Sequence, residues 1–380
     1  MHQLITLLET HDNPFDYLKD ELNIIVKDYG NFVLLDYDQI RTPRFNNIAD
    51  YCRGTIVDKK SKKIVRKMFT RFYNLGEGHT EDKLDLDSTY LETKEDGSII
   101  GVWFNNYKQV WELGTRGTAF ADANVHDPLC LYSSSLTFKD LFLQHYKAIT
   151  DEDFLDNCFK YFNQNFTYIF ELCSLENKVV VTYKTPKIFL TGCIHNETGE
   201  ESGIKTLDSL SELLKVNRPA RLNFSSFEET VKITNSLKDL EEGYIIIDKN
   251  FNRCKLKSLK YVAAHHLKGN QLTTKKALNL VLENEVEEFV SYFEEYKDYF
   301  DSLKLKLDLL KENTINEYNL YNSIEDQKEF AIAIKDSKYK SLLFQLRKGL
   351  DLDTIIKNNT LDKLLILLGF KDEYRYLKNF

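Results

Sequence analysis

Thr93-Lys94-Glu95-Asp96-Gly97-Ser98 lies between Tyr90-Leu91 and Ile99-Ile100-Gly101-Val102-Trp103-Phe104. A lysine and a tight acidic turn thus interrupt two stretches that both read as buried strand. A charged amine held against β-structure, beside a glycine that lets a ligand approach closely, is how a chain would present a lysine nucleophile. Lysine, glutamate and aspartate are also common turn residues, so these six positions alone fit a surface β-hairpin turn equally well.

Upstream of the lysine, residues 1–30 read as mainly helical and residues 31–37 as a first strand. Cys52-Arg53-Gly54-Thr55-Ile56-Val57-Asp58 and Ile64-Val65-Arg66-Lys67-Met68-Phe69 suit a hairpin, and Arg71-Phe72-Tyr73-Asn74-Leu75-Gly76-Glu77 closes the block. Arg53 and Arg71 stand at strand ends beside aromatic and glycine residues, where they are either phosphate contacts or surface arginines. Downstream, Asn105-Asn106-Tyr107-Lys108 reads as a hairpin turn leading to Gly114-Thr115-Arg116-Gly117-Thr118. A cation between glycines and hydroxyls there suits phosphate contact.

Three further strands are expected at residues 166–172, 179–183 and 187–190. Glu171 ends an apolar aromatic run, so it either meets solvent or is held in a pocket for a ligand hydroxyl or metal. Glu242-Gly243-Tyr244-Ile245-Ile246-Ile247-Asp248 opens another apolar strand with an acid, and Arg253-Cys254-Lys255-Leu256-Lys257 is its hairpin partner. Lys255 and Lys257 share one face of that strand, either as an anion site near Glu242 or as protection of a sheet edge.

Beyond about residue 265 the pattern becomes helical. Leu282, Val286, Phe289, Phe293, Tyr296, Phe300, Leu303, Leu307 and Leu310 recur at steps of four and three. They form one apolar stripe along a long helix or two consecutive ones. Residues 339–346, 353–356 and 361–368 suggest shorter helices.

A length of 380 residues favours two domains, and a net charge of −8 argues against a surface that binds nucleic acid all over, though not against a local basic groove. Cys52, Cys130, Cys158, Cys173, Cys193 and Cys254 form no C-x-x-C pair, which points to reduced structural thiols and not to a zinc site or disulfide framework. With no basic leader and no apolar run of membrane-spanning length, the sequence reads as cytoplasmic, in the host cytoplasm if viral, without a membrane partner.

Taken in order, these segments resemble the covalent nucleotidyltransferases, and specifically the phage RNA ligase 1 family, the tRNA-repair ligases of T-even phages. Lys94-Glu95-Asp96-Gly97-Ser98 matches the K-x-D-G-S signature. Cys52-Arg53-Gly54 and Arg71-Phe72-Tyr73-Asn74-Leu75 look like the two segments upstream of that lysine, and Thr115-Arg116-Gly117-Thr118 like the basic segment downstream. Phe170-Glu171, Glu242-Gly243-Tyr244 and Lys255-Leu256-Lys257 match the remaining motifs. Arg71 and Arg116 stand where the best-known member has lysine, and Leu172 where it has an aromatic residue. An arginine fork keeps the charge but binds phosphate with a different geometry.

The resemblance implies an α+β chain. Residues 1–262 would form an adenylyltransferase domain of antiparallel sheets with flanking helices, and residues 263–380 an all-α domain that recognises RNA. It implies an ATP-dependent RNA ligase using Mg²⁺ or Mn²⁺, acting on RNA with 5′-phosphate and 3′-hydroxyl ends, in particular nicked tRNA, with no obligate protein partner. Lys94 would become lysyl-AMP, with Asp96, Glu242, Lys255 and Lys257 in the catalytic set. Arg53, Arg71 and Arg116 would hold phosphates, Glu171 the ribose hydroxyls, and Glu242 and Asp96 the metal or its waters. Gly97, Tyr73 and Ile245 would line the nucleotide site. The alternatives are a capping guanylyltransferase, a DNA ligase, or a non-catalytic RNA-binding protein of the same fold. The first two normally follow the K-x-K strand with an oligonucleotide-binding barrel, where this chain turns helical.

Overall fold

The computed structural model describes residues 3–39, 41–125, 136–237, 240–266 and 272–370. The chain divides into two compact units, Met1–Tyr261 and Val262–Phe380. Among the described residues of the first unit the strands are β1 (Ile24–Tyr29), β2 (Phe32–Tyr37), β3 (Thr55–Asp58), β4 (Ile64–Arg66), β5 (Tyr73–Asn74), β6 (Tyr90–Lys94) and β7 (Ser98–Asn105). They continue with β8 (Val110–Thr115), β9 (Phe166–Cys173), β10 (Lys187–His195), β11 (Arg221–Asn223), β12 (Gly243–Ile247) and β13 (Arg253–Lys257).

The N-terminal stretch is less helical than its composition suggests. Helices Gln3–Thr10 and Pro14–Leu22 are followed by Asn23, a left-handed C-cap at φ 50°, and the chain then extends into β1. Proline at the first helical position and asparagine at the cap are ordinary start and stop signals. The β-branched run Ile24-Ile25-Val26 that follows suits a strand better than a helix. The first sheet has the order β1-β2-β3-β4. Its strand β2 is buried along its whole length because both faces are covered: Val33 and Leu35 meet the two N-terminal helices, while Phe32 and Leu34 pack with Ile56 and Trp103.

The second sheet runs β10-β9-β7-β8 and the third β11-β6-β12-β13-β5. All pairings are antiparallel except that of β13 with β5. Helices Phe138–Thr150, Phe154–Tyr161 and Ile204–Leu214 cover one face of the second sheet, burying Ile100, Val102, Phe170, Leu172 and Leu190. Each such side chain contributes about 1.5–3 kcal/mol on full burial. Residues 179–183, expected as a strand, form irregular backbone in the connection from β9 to β10. Their amides bond to a carboxylate instead of to a neighbouring strand, as described below.

The two strands that flank Lys94 do not pair. β6 belongs to the third sheet and β7 to the second, so the Glu95-Asp96-Gly97 turn carries the chain from one sheet to the other. This removes the hairpin alternative for the opening motif.

In the second unit the described residues form helices Thr274–Leu282, Val286–Tyr292, Lys297–Tyr321, Gln327–Ala333, Lys340–Arg347, Leu352–Lys357 and Leu361–Leu367. The apolar stripe, expected along one long helix or two, spans three: it starts at Leu282, the end of the helix Thr274–Leu282, and continues along Val286–Tyr292 and Lys297–Tyr321, with a 3-10 turn, Glu294–Tyr296, between the last two. Phe289, Phe300, Leu303, Leu307 and Leu310 are buried in one core, against which Phe293 and Tyr296 pack. No helix among the described residues is long and apolar enough to cross a membrane. Cys52, Cys158, Cys173, Cys193 and Cys254 are free and buried, and Cys130 lies outside the described residues.

Candidate active site

Lys94 is the last residue of β6, directly opposite Gly243 of β12, which in turn is opposite Lys257 of β13. Gly243 adopts φ +142°, and a Cβ there would come within 2.0 Å of the Leu256 carbonyl oxygen. Only glycine fits between the two lysine strands. The residue before it, Glu242, is thereby set at the sheet end with 4% exposure, its Oε2 accepting from Lys94 Nζ at 2.7 Å and its Oε1 3.7 Å from Lys257 Nζ. Removing one partner of such a buried pair leaves an uncompensated charge, which costs about 3–5 kcal/mol. Strand alternation places Glu92, Ile245 and Lys255 on the same face, with Ile245 opposite both Glu92 and Lys255. The opposite face carries Leu91, Tyr244, Ile246 and Cys254 into a core.

The turn after Lys94 is clamped from several sides. A Cβ on Gly97 would lie 2.3 Å from the Leu172 carbonyl oxygen and 2.7 Å from Cys173 Sγ, so the turn passes flat against the end of β9. Asp96 Oδ2 accepts from the amides of Val180 (2.9 Å) and Val181 (2.7 Å), and Oδ1 accepts from the Tyr261 hydroxyl (2.7 Å). The Tyr183 hydroxyl accepts from the Asp96 amide and donates to Glu95, and Asn177 donates to Ser98 Oγ. These bonds fix the position of Asp96 and, through it, the turn after Lys94.

This close passage brings Glu171 of β9 to the lysine. Burial pushes its carboxyl up to about 8; Lys94 and Arg53 oppose that rise, while the Glu242 and Asp96 carboxylates add to it. Glu171 is half-buried near the end of β9.

Two of the three arginines, Arg71 and Arg116, come together around a tyrosine that sequence reasoning did not single out. The Tyr37 ring lies 4.0 Å from the Arg71 guanidinium carbon and 4.6 Å from that of Arg116. Arg116 Nε donates to Asp36 at 2.8 Å and its Nη1 to the Tyr37 hydroxyl at 3.1 Å. Arg53 Nη1 donates to the Phe69 carbonyl at 3.3 Å. Arg71 Nη1 is buried and has no hydrogen-bond partner.

Beneath this group lies Arg66, with no exposure, which donates from Nε to the Gly54 carbonyl (3.0 Å) and from Nη1 to the Thr118 carbonyl (3.1 Å). It links the turn carrying Arg53 to the turn carrying Arg116. Burial lowers its guanidinium to about 9. Asp36, Tyr37, Arg66, Tyr183 and Tyr261 carry no spacing signal; only its complete burial marks Arg66, and that is invisible in sequence.

Tyr73 is fixed by its neighbours. It is 4% exposed, its hydroxyl donates to Asp50 (2.6 Å) and accepts from the Phe45 amide (2.9 Å), and its ring lies against Phe45 and the guanidinium groups of Arg44 and Arg71. The Arg71–Glu77 segment closes as a turn held by Glu77, which accepts from the backbone and side chain of Asn74 and pairs with Arg44. Ile245 is half-buried on the lysine face.

Among the described residues no group of three or more histidine, cysteine or acidic side chains could hold a metal ion. A Mg²⁺ ion carried in on substrate phosphates needs only one or two carboxylates, and Glu242 fits that requirement.

A family model described as RNA ligase matches residues 51–310. A protein of Autographa californica nuclear polyhedrosis virus, named as a bifunctional polynucleotide kinase/RNA ligase, is 28% identical over 356 residues, covering 88% of this chain and 48% of that protein. The chain thus spans about half the length of that relative. An RNA ligase of Rhodothermus phage RM378 is 23% identical over 421 aligned residues, covering 88% of this chain and 93% of that protein. Among solved structures, an archaeal ATP-dependent RNA ligase superposes with a TM-score of 0.46 at 12% identity, over 65% of this chain and 61% of that one. The chain belongs to the RNA ligase family of the phage RNA ligase 1 type.

Proposed function

We propose that this protein is an ATP-dependent RNA ligase that works through a lysyl-AMP intermediate and seals 5′-phosphate to 3′-hydroxyl RNA ends. The observation that carries this is the Lys94, Glu242 and Lys257 cluster set across from Glu171 at a junction between two sheets. Lys94 Nζ attacks the α-phosphorus of ATP, a nitrogen–phosphorus bond forms, and the bond to the bridging oxygen breaks as pyrophosphate leaves. Glu242 Oε2 is the nearest base for the ammonium proton, 2.7 Å away. Lys255 and Lys257 stabilise the charge that grows on the phosphate oxygens. Arg53, Arg71 and Arg116 hold the outer phosphates, and Glu171 binds the ribose hydroxyls. Divalent Mg²⁺ or Mn²⁺ on the triphosphate would supply charge neutralisation, with Glu242 as the carboxylate in reach.

In the second step an RNA 5′-phosphate oxygen attacks the AMP phosphorus, freeing Lys94 and forming an RNA-adenylate. A 3′-hydroxyl then attacks the RNA phosphorus and AMP departs with the bridging oxygen. Nicked tRNA is the substrate that the family resemblance favours for the Val262–Phe380 unit.

Incubation with α-labelled ATP, and separately with labelled GTP, tests this directly. ATP should label the protein and GTP should not, and Lys94→Ala should abolish labelling. Undiminished labelling of that variant would end the proposal. Comparing sealing of nicked tRNA, single-stranded RNA and nicked DNA then reads the substrate, with nicked tRNA expected to be sealed best.

A further inference from the structure

A cavity of about 1030 Å³ opens in the first unit, and neither Lys94, Glu171, Glu242, Lys255 nor Lys257 lines it. Its walls come from the helix Asn47–Tyr51, the loop around Arg71 and Tyr73, the turn at Lys83, and the tips of the β10 and β12–β13 connections. It exceeds the roughly 300–1,000 Å³ of a typical small-molecule site.

Two features of the wall point to a ligand. Phe45 and Phe251 both line the cavity, and both sit in the left-handed region, at φ 57° and 62°. A bulky aromatic residue is an outlier there, and such conformations cluster where a ligand is bound. Phe45 is 44% exposed and rests on Tyr73, with ring centroids 4.3 Å apart. The lining carries four cations, Lys67, Arg71, Lys83 and Arg253, against three carboxylates, Asp50, Glu200 and Glu201, and Glu201 takes both nitrogens of Arg253 (2.7 and 2.6 Å). Arg71 Nη1 is left buried without a hydrogen bond, and Lys83 is exposed at the rim. Presented aromatic rings interleaved with unsatisfied cations bind single-stranded nucleic acid, by stacking the bases and tracking the phosphates.

We propose that this cavity holds the RNA strand next to the end being sealed, with Arg71 and Lys83 on phosphates and Phe45 and Phe251 against bases. This rests on the ligase reading above and adds the place where that reading puts its RNA. Arg71 would then face both compartments, joining the nucleotide site to the strand site.

The test uses the full chain carrying Lys83→Glu, Phe251→Ala or Phe45→Ala. Lysyl-AMP formation from labelled ATP is measured first, then AMP transfer to a 5′-phosphorylated oligoribonucleotide over a range of RNA concentrations. Each variant should adenylylate itself at the parent rate, while the half-saturating RNA concentration rises about tenfold. Unchanged RNA dependence in all three would overturn the proposal. So would a matching fall in self-adenylylation, since that assigns the cavity to ATP phosphates or to folding. Anisotropy of the same oligoribonucleotide, fluorescein-labelled, needs no chemistry: if the parent forms no lysyl-AMP, the ligase reading fails, and weaker RNA binding by the variants still decides the cavity.

Discussion

The two halves of the candidate site are built on different principles. Around Lys94, position follows from strand register: β6, β12 and β13 bring Lys94, Gly243 and Lys257 side by side, and backbone pairing alone sets their spacing. Around Arg53, Arg71 and Arg116, position follows from side chains that hold other side chains, with Tyr37 between two guanidinium groups and Arg66 bridging two turns. The first half is rigid because a sheet is rigid. The second can be tuned one contact at a time.

The sharpest way to break the first half is Gly97→Ala. The added methyl would sit 2.3 Å from the Leu172 carbonyl, backbone that cannot swing away as a flexible side chain could. The turn must lift off β9 and take Lys94 away from Glu171. A displacement of about 1 Å at reacting groups costs on the order of a hundredfold. Lysyl-AMP formation should therefore fall by about that factor or more, while circular dichroism reports an intact fold. A rate within threefold of the parent would mean that the turn does not set the lysine.

The second half should respond differently, in binding more than in chemistry. Arg66→Met strands the Gly54 and Thr118 carbonyls, at about 1–3 kcal/mol each, but also removes a buried cation whose burial outweighs the pull of Asp36. These terms oppose, so thermal stability should move little. The arginine turns lose their link, so half-saturating ATP should rise about tenfold with the saturated rate nearly unchanged. Arg66→Lys, which keeps the charge and one of the two bonds, should fall between. An equal loss of rate at saturating ATP would place Arg66 with the chemical half.

The same contrast explains what could be read from sequence. The Lys94 half was legible because its elements are local: a signature at six consecutive positions, a glutamate before a glycine, and two lysines at strand period. The hairpin alternative failed because β6 and β7 join different sheets, and no period in one stretch reports which sheet it joins. Strand β1 was lost to the helical prior of its neighbours, and residues 179–183 were read as strand because valine and tyrosine favour one anywhere. Their amides go to Asp96, a long-range contact that propensity cannot express. Arg66 looks like any basic residue at the end of a strand, and only its burial marks it.

The smallest effect expected is a pH dependence carried by Glu171, and it probes the contact between the halves, since Lys94 and Arg53 both act on it. Burial raises its folded value to about 8, against an unfolded value near 4.5. Between those two values the folded state holds a proton that the unfolded chain has released. Stability from this group is therefore fully present below the lower value and is lost as pH rises toward the upper one. Glu171→Gln keeps the neutral shape and removes the titration. The melting temperature of the parent should drop by a few degrees more than that of the variant between pH 6 and pH 8.5, at about 2–4 °C per kcal/mol for a chain of this size. Parallel curves would mean that Glu171 is already ionised at neutral pH, its carboxylate held by Lys94 and Arg53 more strongly than burial opposes it.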